Sequence, residues 1–416
     1  MIVKPLRILL YEHVSSGGYA GELLPISLLS EGYAMLRGLT EEFKTAGHEV
    51  TVLLDARIAA FNPPLKADRI VQIDTSGEAD AAMDQAAESA DAAYVIAPEP
   101  SHVLRSIVEC IESTGTLSLN CQSAGIEQAA EKANLEERVN QLGLRFPKTE
   151  TFKVIDPPQE VAKEIDCKFG FPVVVKPANG AGCSGLSVAE SGKDLAVAFD
   201  KIRQETADGK VVVQEFISGV SASVSLISTG TKTLPVSLNL QEVTLAGPSE
   251  VSSYRGGVVP IEHPLKDVAF SSAKCLVESF VGLRGYIGVD FVLSGETAFV
   301  MEINTRLTTS YVGLRKVAGF NVAEAVLKAV INEELPKKPS QIGVSCFSKV
   351  AVNTPPVSSL KQICEMGWVE APPFPLSQTG VSYAMLQSKG ESIQEASAGL
   401  SEAKKRLQRI CAGAER

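Results

Sequence analysis

At 416 residues the chain is longer than one hydrophobic core usually supports, so two or three packed domains are expected. Its composition, 45% apolar and 21% charged, is that of a soluble globular protein, and no apolar run is long enough to cross a bilayer. A formal charge of −10 argues against a general nucleic-acid binder, yet leaves room for phosphates held by local groups.

The short apolar stretch Met1–Leu10 runs into polar, glycine-rich sequence with no small-residue cleavage site, which points to the cytoplasm. Eight scattered cysteines with no C-x-x-C pair suit reduced thiols, and no two of the four histidines sit at ligand spacing. Leu6–Tyr11 reads as a buried strand ended by the turn Ser15-Ser16-Gly17-Gly18. A helix over Glu31–Ala46 follows, with Gly47 as its stop. Strands at Val50–Leu54, Ala93–Ala97 and Leu117–Asn120 alternate with a helix at Asp80–Ala90 and one capped by Ser101. That alternation predicts an α/β parallel-sheet domain over residues 1–125.

Lys132–Leu142 reads as a short helix. Strands at Val173–Lys176, Gly180–Val188, Val211–Phe216, Ser223–Ser228, Pro235–Glu242, Tyr286–Leu293 and Ala298–Asn304, with a helix over Leu265–Val281, predict an α+β region. Its expected units are 126–213 and 214–335. The prolines at 336 and 339 mark a boundary, and 336–416 is expected as an extension of unknown role ending in an amphipathic helix near Ser392–Cys411.

Three motifs carry chemistry. Gly288-Val289-Asp290-Phe291 and Phe299–Asn304 read as a hairpin that brings Asp290 near Glu302, with Asn304 on the same face as Glu302. Two carboxylates and an amide oxygen suit Mg²⁺, with Mn²⁺ as a substitute. Val173-Val174-Val175-Lys176-Pro177 followed by Gly180, Gly182, Ser184 and Gly185 places a lysine and backbone amides where phosphates could be held; a plain glycine-rich hairpin fits the same residues. Gln214, Glu215, Phe216 and Ile217 form a strand exit able to bond adenine through its backbone, or simply a core strand. Arg306 and Arg255 are the candidate catalytic guanidiniums, able to clamp a carboxylate. Cys183 is read as a filler. The pattern Ser16-x-Gly18-x-x-Gly21 lacks the first glycine of a dinucleotide fingerprint, and Pro25 interrupts the position of its helix.

Taken in order, Glu131-Lys132 before Gly143…Pro147, Lys176 with its glycine loop, Gln214–Ile217, and Asp290…Glu302-Ile303-Asn304 resemble the ATP-grasp superfamily over about 120–330. The resemblance implies an ATP-grasp fold with an N-terminal parallel-sheet domain. It also implies ATP and Mg²⁺ as cofactors, phosphate contacts from Lys132 and Lys176, and an adenine site at Gln214, Glu215, Phe216 and Ile217. Where many members carry a ribose-binding glutamate this chain has Ser221, whose hydroxyl can make one such bond but not a bidentate grip. Tyr11-Glu12…Ser15-Ser16-Gly17-Gly18, Ser30–Leu36 and Glu302–Tyr311 resemble, more narrowly, the tyramine–L-glutamate ligases of methanofuran biosynthesis and their methylotroph relatives. This implies an ADP-forming carbon–nitrogen ligase working on a glutamate-like acid and tyramine or tyrosine through an acyl phosphate, in a chain that pairs as a homodimer. Another amino-acid or peptide ligase, or a non-catalytic ATP sensor, shares these motifs.

Overall fold

The computed structural model describes residues 4–178, 183, 185–205, 209–337 and 340–413. Its first layer is a parallel sheet of β1 (Arg7–Glu12), β2 (Glu49–Asp55), β3 (Arg69–Ile73), β4 (Ala92–Ile96) and β5 (Leu117–Ser118), in the order β3-β2-β1-β4-β5. β1 has a parallel neighbour on each side, and Ile8, Leu9 and Leu10 are all buried. A strand covered on both faces reads as a continuous apolar run, which is how it stands in the sequence.

The first long helix spans Ile26–Thr45 and buries Leu29, Tyr33, Leu36, Leu39 and Phe43 along one face. It starts earlier than the Glu31 expectation because Pro25 precedes it, and a proline opens a helix at no cost in hydrogen bonds. Gly47, at φ +89°, ends it as expected. Ser101 caps nothing: it lies in a short 3-10 turn, Pro100–His102, and the helix begins at Val103.

A second, four-stranded sheet contains β6 (Thr149–Lys153), β7 (Val173–Pro177), β8 (Ser187–Ala189) and β9 (Lys210–Glu215), ordered β6-β9-β7-β8. Helices Pro158–Lys168 and Gly192–Glu205 close its own small core around Ile165, Val173, Val175, Phe199 and Ile202.

The third sheet has β10 (Val220–Thr229), β11 (Thr233–Thr244), β12 (Ser253–Val259), β13 (Arg284–Ser294), β14 (Thr297–Asn304), β15 (Val344–Asn353), β16 (Val369–Ala371) and β17 (Val381–Gly390). Their order is β14-β13-β10-β11-β12-β15-β17-β16, so the C-terminal strands extend the sheet that carries Asp290. The join is β12 against β15, from Gly256 opposite Ser348 to Val259 opposite Ser345. Glycine makes it possible. Gly256 has φ +139°, and a Cβ there would lie 2.1 Å from the carbonyl oxygen of Phe347. Gly256→Ala should therefore destabilise the fold by about 2 kcal/mol or more, read as a lower denaturant midpoint. An unchanged midpoint would contradict this account of the join.

The final helix, Ile393–Cys411, is as the sequence predicts: Ser392 accepts a hydrogen bond from the Glu395 amide, and Ala396, Leu400, Ala403, Leu407 and Ile410 are buried. All eight cysteines are free, and among the described residues no helix is long and apolar enough to cross a membrane.

Candidate active site

The antiparallel pairing of β13 and β14 sets Asp290 directly opposite Glu302, and Gly288 opposite Asn304. Asn304 Nδ2 donates to Asp290 Oδ2 at 3.2 Å, which leaves the Asn304 amide oxygen available. From β11, Gln241 Nε2 donates to Asp290 Oδ1 at 3.1 Å. Glu302 is exposed, Asp290 half-buried and Asn304 buried. Burial first, and then the charge of Glu302, push the Asp290 carboxyl up to about 7, against the pull of the two amide donors. Two like charges held face to face are costly unless a cation joins them. Among the described residues no three carboxylates, thiols or imidazoles converge. Two carboxylates and one amide are nonetheless the small oxygen set that Mg²⁺ accepts, its other positions filled by water and phosphate. The donor set fits that ion.

Lys176, at the end of β7, donates to Gln214 Oε1 at 3.3 Å, and Gln214 is fixed in turn by donating to Thr149 Oγ1 at 2.8 Å. Burial lowers the Lys176 ammonium, while Glu302 and then Asp290 oppose that shift, so the lysine stands within electrostatic reach of both carboxylates. Lys132 opens the helix Lys132–Gln141. Burial, then the neighbouring charge of Lys176, bring it down to about 8, with Glu302 again opposing. Lys176 thus lies within electrostatic reach of both carboxylates, and Lys132 within reach of Lys176 and Glu302, an arrangement that suits a polyanion lying between the lysines and a cation.

The other expected residues divide. Gly180, Gly182 and Ser184 lie outside the described residues. Gly185 is described, at φ +68°. Gln214 is buried and spends its side chain on Lys176 and Thr149, so it positions a lysine and does not itself face a cleft. The amides of Glu215 and Phe216 are bonded to the carbonyls of Lys148 and Pro172, whereas that of Ile217 has no backbone partner among the described residues. Ser221 sits on β10, two residues from Ser223, which faces Asp290 across the strand pair. Arg255 is not drawn to the cluster: it is exposed and donates to Thr244 Oγ1 at 3.1 Å. Burial pushes the Cys183 thiol up to about 11, so it is protonated at neutral pH.

Arg306 does reach the cluster's edge. Its Nε donates to Glu99 Oε2 at 2.8 Å, and the charges of Glu302 and Asp290 act on it. Beside it, Glu99 Oε1 and Thr305 Oγ1 are buried without hydrogen-bond partners among the described residues, a deficit that calls for an explanation such as a bound group. Glu12, by contrast, is spent on its own turn, accepting from the Val14 and Ser15 amides and the Ser15 hydroxyl. Gln241, Thr149 and Glu99 escaped sequence reasoning. Glu99 had one usable signal, since Pro98-Glu99-Pro100 follows the carboxyl end of a parallel strand, where ligands of open α/β sheets bind.

Residues 129–310 match the family described as ATP-grasp domain, and residues 48–126 the one described as pre ATP-grasp 3 domain. The tyramine–L-glutamate ligase of Methanocaldococcus fervens is 30% identical over 79% of this chain and 95% of its own. The chain belongs to the ATP-grasp ligase family. The fold agrees: an ATP-grasp superfamily protein from Archaeoglobus fulgidus superposes at a TM-score of 0.62, with 22% identity over 92% of this chain and 99% of that one. The biotin carboxylase of Campylobacter jejuni, solved as a complex with beta-gamma-ATP, does so at 0.70, with 17% identity over 96% of this chain and 90% of its own. The ATP-grasp fold and the N-terminal parallel sheet expected from the sequence are therefore both present.

Proposed function

We propose that this ATP-grasp ligase joins the carboxylate of a glutamate-like acid to a primary amine, tyramine or tyrosine, through an acyl phosphate. The observation that carries the reading is the pairing of Asp290 opposite Glu302, with Lys176 in electrostatic reach of both and Lys132 in reach of Glu302. Lys132 and Lys176 hold the triphosphate, and Ile217 offers its free amide to the adenine. Asp290, Glu302 and Asn304 would hold Mg²⁺, which when bound would neutralise phosphate charge. Positioning and charge neutralisation supply most of the catalysis in such transfers.

The acid oxygen attacks the γ-phosphorus, the bond to the β-phosphate oxygen breaks, and ADP leaves. The amine nitrogen then attacks the acyl carbon, the carbon–oxygen bond to phosphate breaks, and the amine proton is lost as the amide forms. We assign to Arg306, which is oriented by Glu99, the stabilisation of the oxygen that gains charge in that second step.

An ADP-release screen of L-glutamate against an amine panel that includes tyramine and tyrosine tests the reading. Release that needs both acid and amine is expected. Release with neither, or ATP binding without turnover under any pairing, would instead favour a phosphatase-like or sensor role.

A further inference from the structure

The carboxyl end of the N-terminal sheet meets the loop that leaves the metal-site hairpin. β1 has β2 on one side and β4 on the other, so the chain turns opposite ways from β1 and β4. The crevice outside the carboxyl ends of two such strands is where open α/β sheets take ligands. Both strands leave the sheet together: Glu12 pairs with Ile96, and the His13 amide donates to the Ile96 carbonyl at 2.8 Å. Glu99 follows directly, between Pro98 and Pro100. Its Oε2 accepts from Arg306 Nε at 2.8 Å. Arg306 comes shortly after Asn304, a chain span of at most about 7 Å. Asn304 Nδ2 in turn lies 3.2 Å from Asp290. A covalent and hydrogen-bonded path thus ties Glu99 to the metal-site carboxylates.

Two carboxylates stand at these strand ends, and only one is satisfied. Glu12 has Oε1 engaged by the Val14 amide and Oε2 by the amide and hydroxyl of Ser15. Glu99 spends Oε2 on Arg306, while its Oε1 is buried with no hydrogen-bond partner among the described residues. The Glu99 side chain keeps 15% exposure, so the carboxyl is not sealed into the core, and the terminal torsion of a glutamate turns easily. A carboxylate oxygen denied both water and a donor is costly, and a ligand that brings a donor removes the cost. A cationic N–H makes the strongest such bond. The hydroxyl of Thr305, next to Arg306, is buried and unpartnered as well, so the deficit belongs to the site and not to one atom. The turn after Glu99 also carries strain, with Ser101 at φ +57° and His102 at φ +60°.

We propose that Glu99 receives the ammonium of the primary-amine substrate and takes the proton that must leave before its nitrogen can attack. This rests on the ligase reading and deepens it by naming the group that activates the amine. The ammonium N–H donates to Oε1. Its proton passes to the Glu99 carboxylate, the freed electron pair forms the bond to the acyl carbon, and the carbon–oxygen bond to phosphate breaks. A second nitrogen proton goes to the departing phosphate, the third stays on the amide, and Glu99 returns its own to solvent. Arg306, on the other oxygen, holds the carboxylate in place.

Hydroxylamine separates this role from a structural one, because at neutral pH it is uncharged and arrives with its electron pair free. The full chain with ATP, Mg²⁺ and L-glutamate is assayed for amide with tyramine and tyrosine, and for hydroxamate with hydroxylamine. Glu99→Gln keeps an oxygen for Arg306 and loses the charge. Its kcat/KM for the amine should fall about 100-fold, while hydroxamate formation should stay within about threefold of wild type. Glu99→Asp, which keeps a carboxylate, should make amide about tenfold faster than Glu99→Gln. Hydroxamate formation in the variant also shows that it is folded and that Arg306 still acts. An equal loss of both products would mean that Glu99 serves only to orient Arg306 or to hold the fold, and overturns the proposal. Unchanged amide formation in Glu99→Gln overturns it too, as does a wild type that makes hydroxamate but no amide from either amine. A wild type that makes neither product sinks the ligase reading, and the amine site with it.

Discussion

Replacing Glu302 with glutamine should lower ATP turnover by about 1000-fold and, in magnesium-free buffer, raise the midpoint of thermal unfolding. Both effects have one cause. Glu302 lies opposite Asp290 on adjacent antiparallel strands, where like charges destabilise the pair by roughly 0.5–1 kcal/mol. Glutamine keeps the size and removes the repulsion, so the protein without metal gains stability. It also removes one of the two charges that would hold Mg²⁺, so phosphate charge goes unneutralised during transfer. Adding Mg²⁺ with ATP should then stabilise the wild type more than the variant. Such an exchange of stability for function is common at sites that concentrate charge. Turnover within tenfold of wild type (about 1.4 kcal/mol) would show that Glu302 is not at the reacting phosphates.

Replacing Lys176 with methionine should weaken ATP binding by about 100-fold, because the ammonium is half-buried and its fixed partner, Gln214, is neutral. The pH dependence follows from Lys132. Its ammonium is held down to about 8 in the free protein by burial and by Lys176, whereas a bound polyphosphate would favour the charged form. ATP binding should therefore draw in a proton above pH 8. Affinity should be fully present below that value and fall as pH rises through it, by up to tenfold per unit. In Lys132→Met the affinity should be lower throughout and the pH dependence lost. An alkaline fall that survives in the variant would assign it to another group.

Much of the site was legible because its parts are local. Asp290, Glu302 and Asn304 belong to one hairpin, so strand period and turn length bring them together. Lys176 ends an apolar strand, and its place in the ordered set of motifs carried the family resemblance. What stayed hidden depends on partners far apart in the chain. Arg306 could be singled out, but not Glu99, which orients it from another layer. Arg255 was expected at the site because arginine beside glycines suits an anion, yet the strand alternation of β12 turns it to solvent. Strands β12, β15 and β17 carry weak local signals, and pairing across the proline-marked boundary is a tertiary matter that periodicity does not report.

The most direct measurement follows oxygen. With the carboxylate oxygens of L-glutamate labelled with ¹⁸O, turnover with ATP and the accepting amine should place one labelled oxygen in each phosphate released and leave its partner in the amide. Phosphate free of label would mean that the acid oxygen never attacks the γ-phosphorus, and the acyl-phosphate route would be wrong.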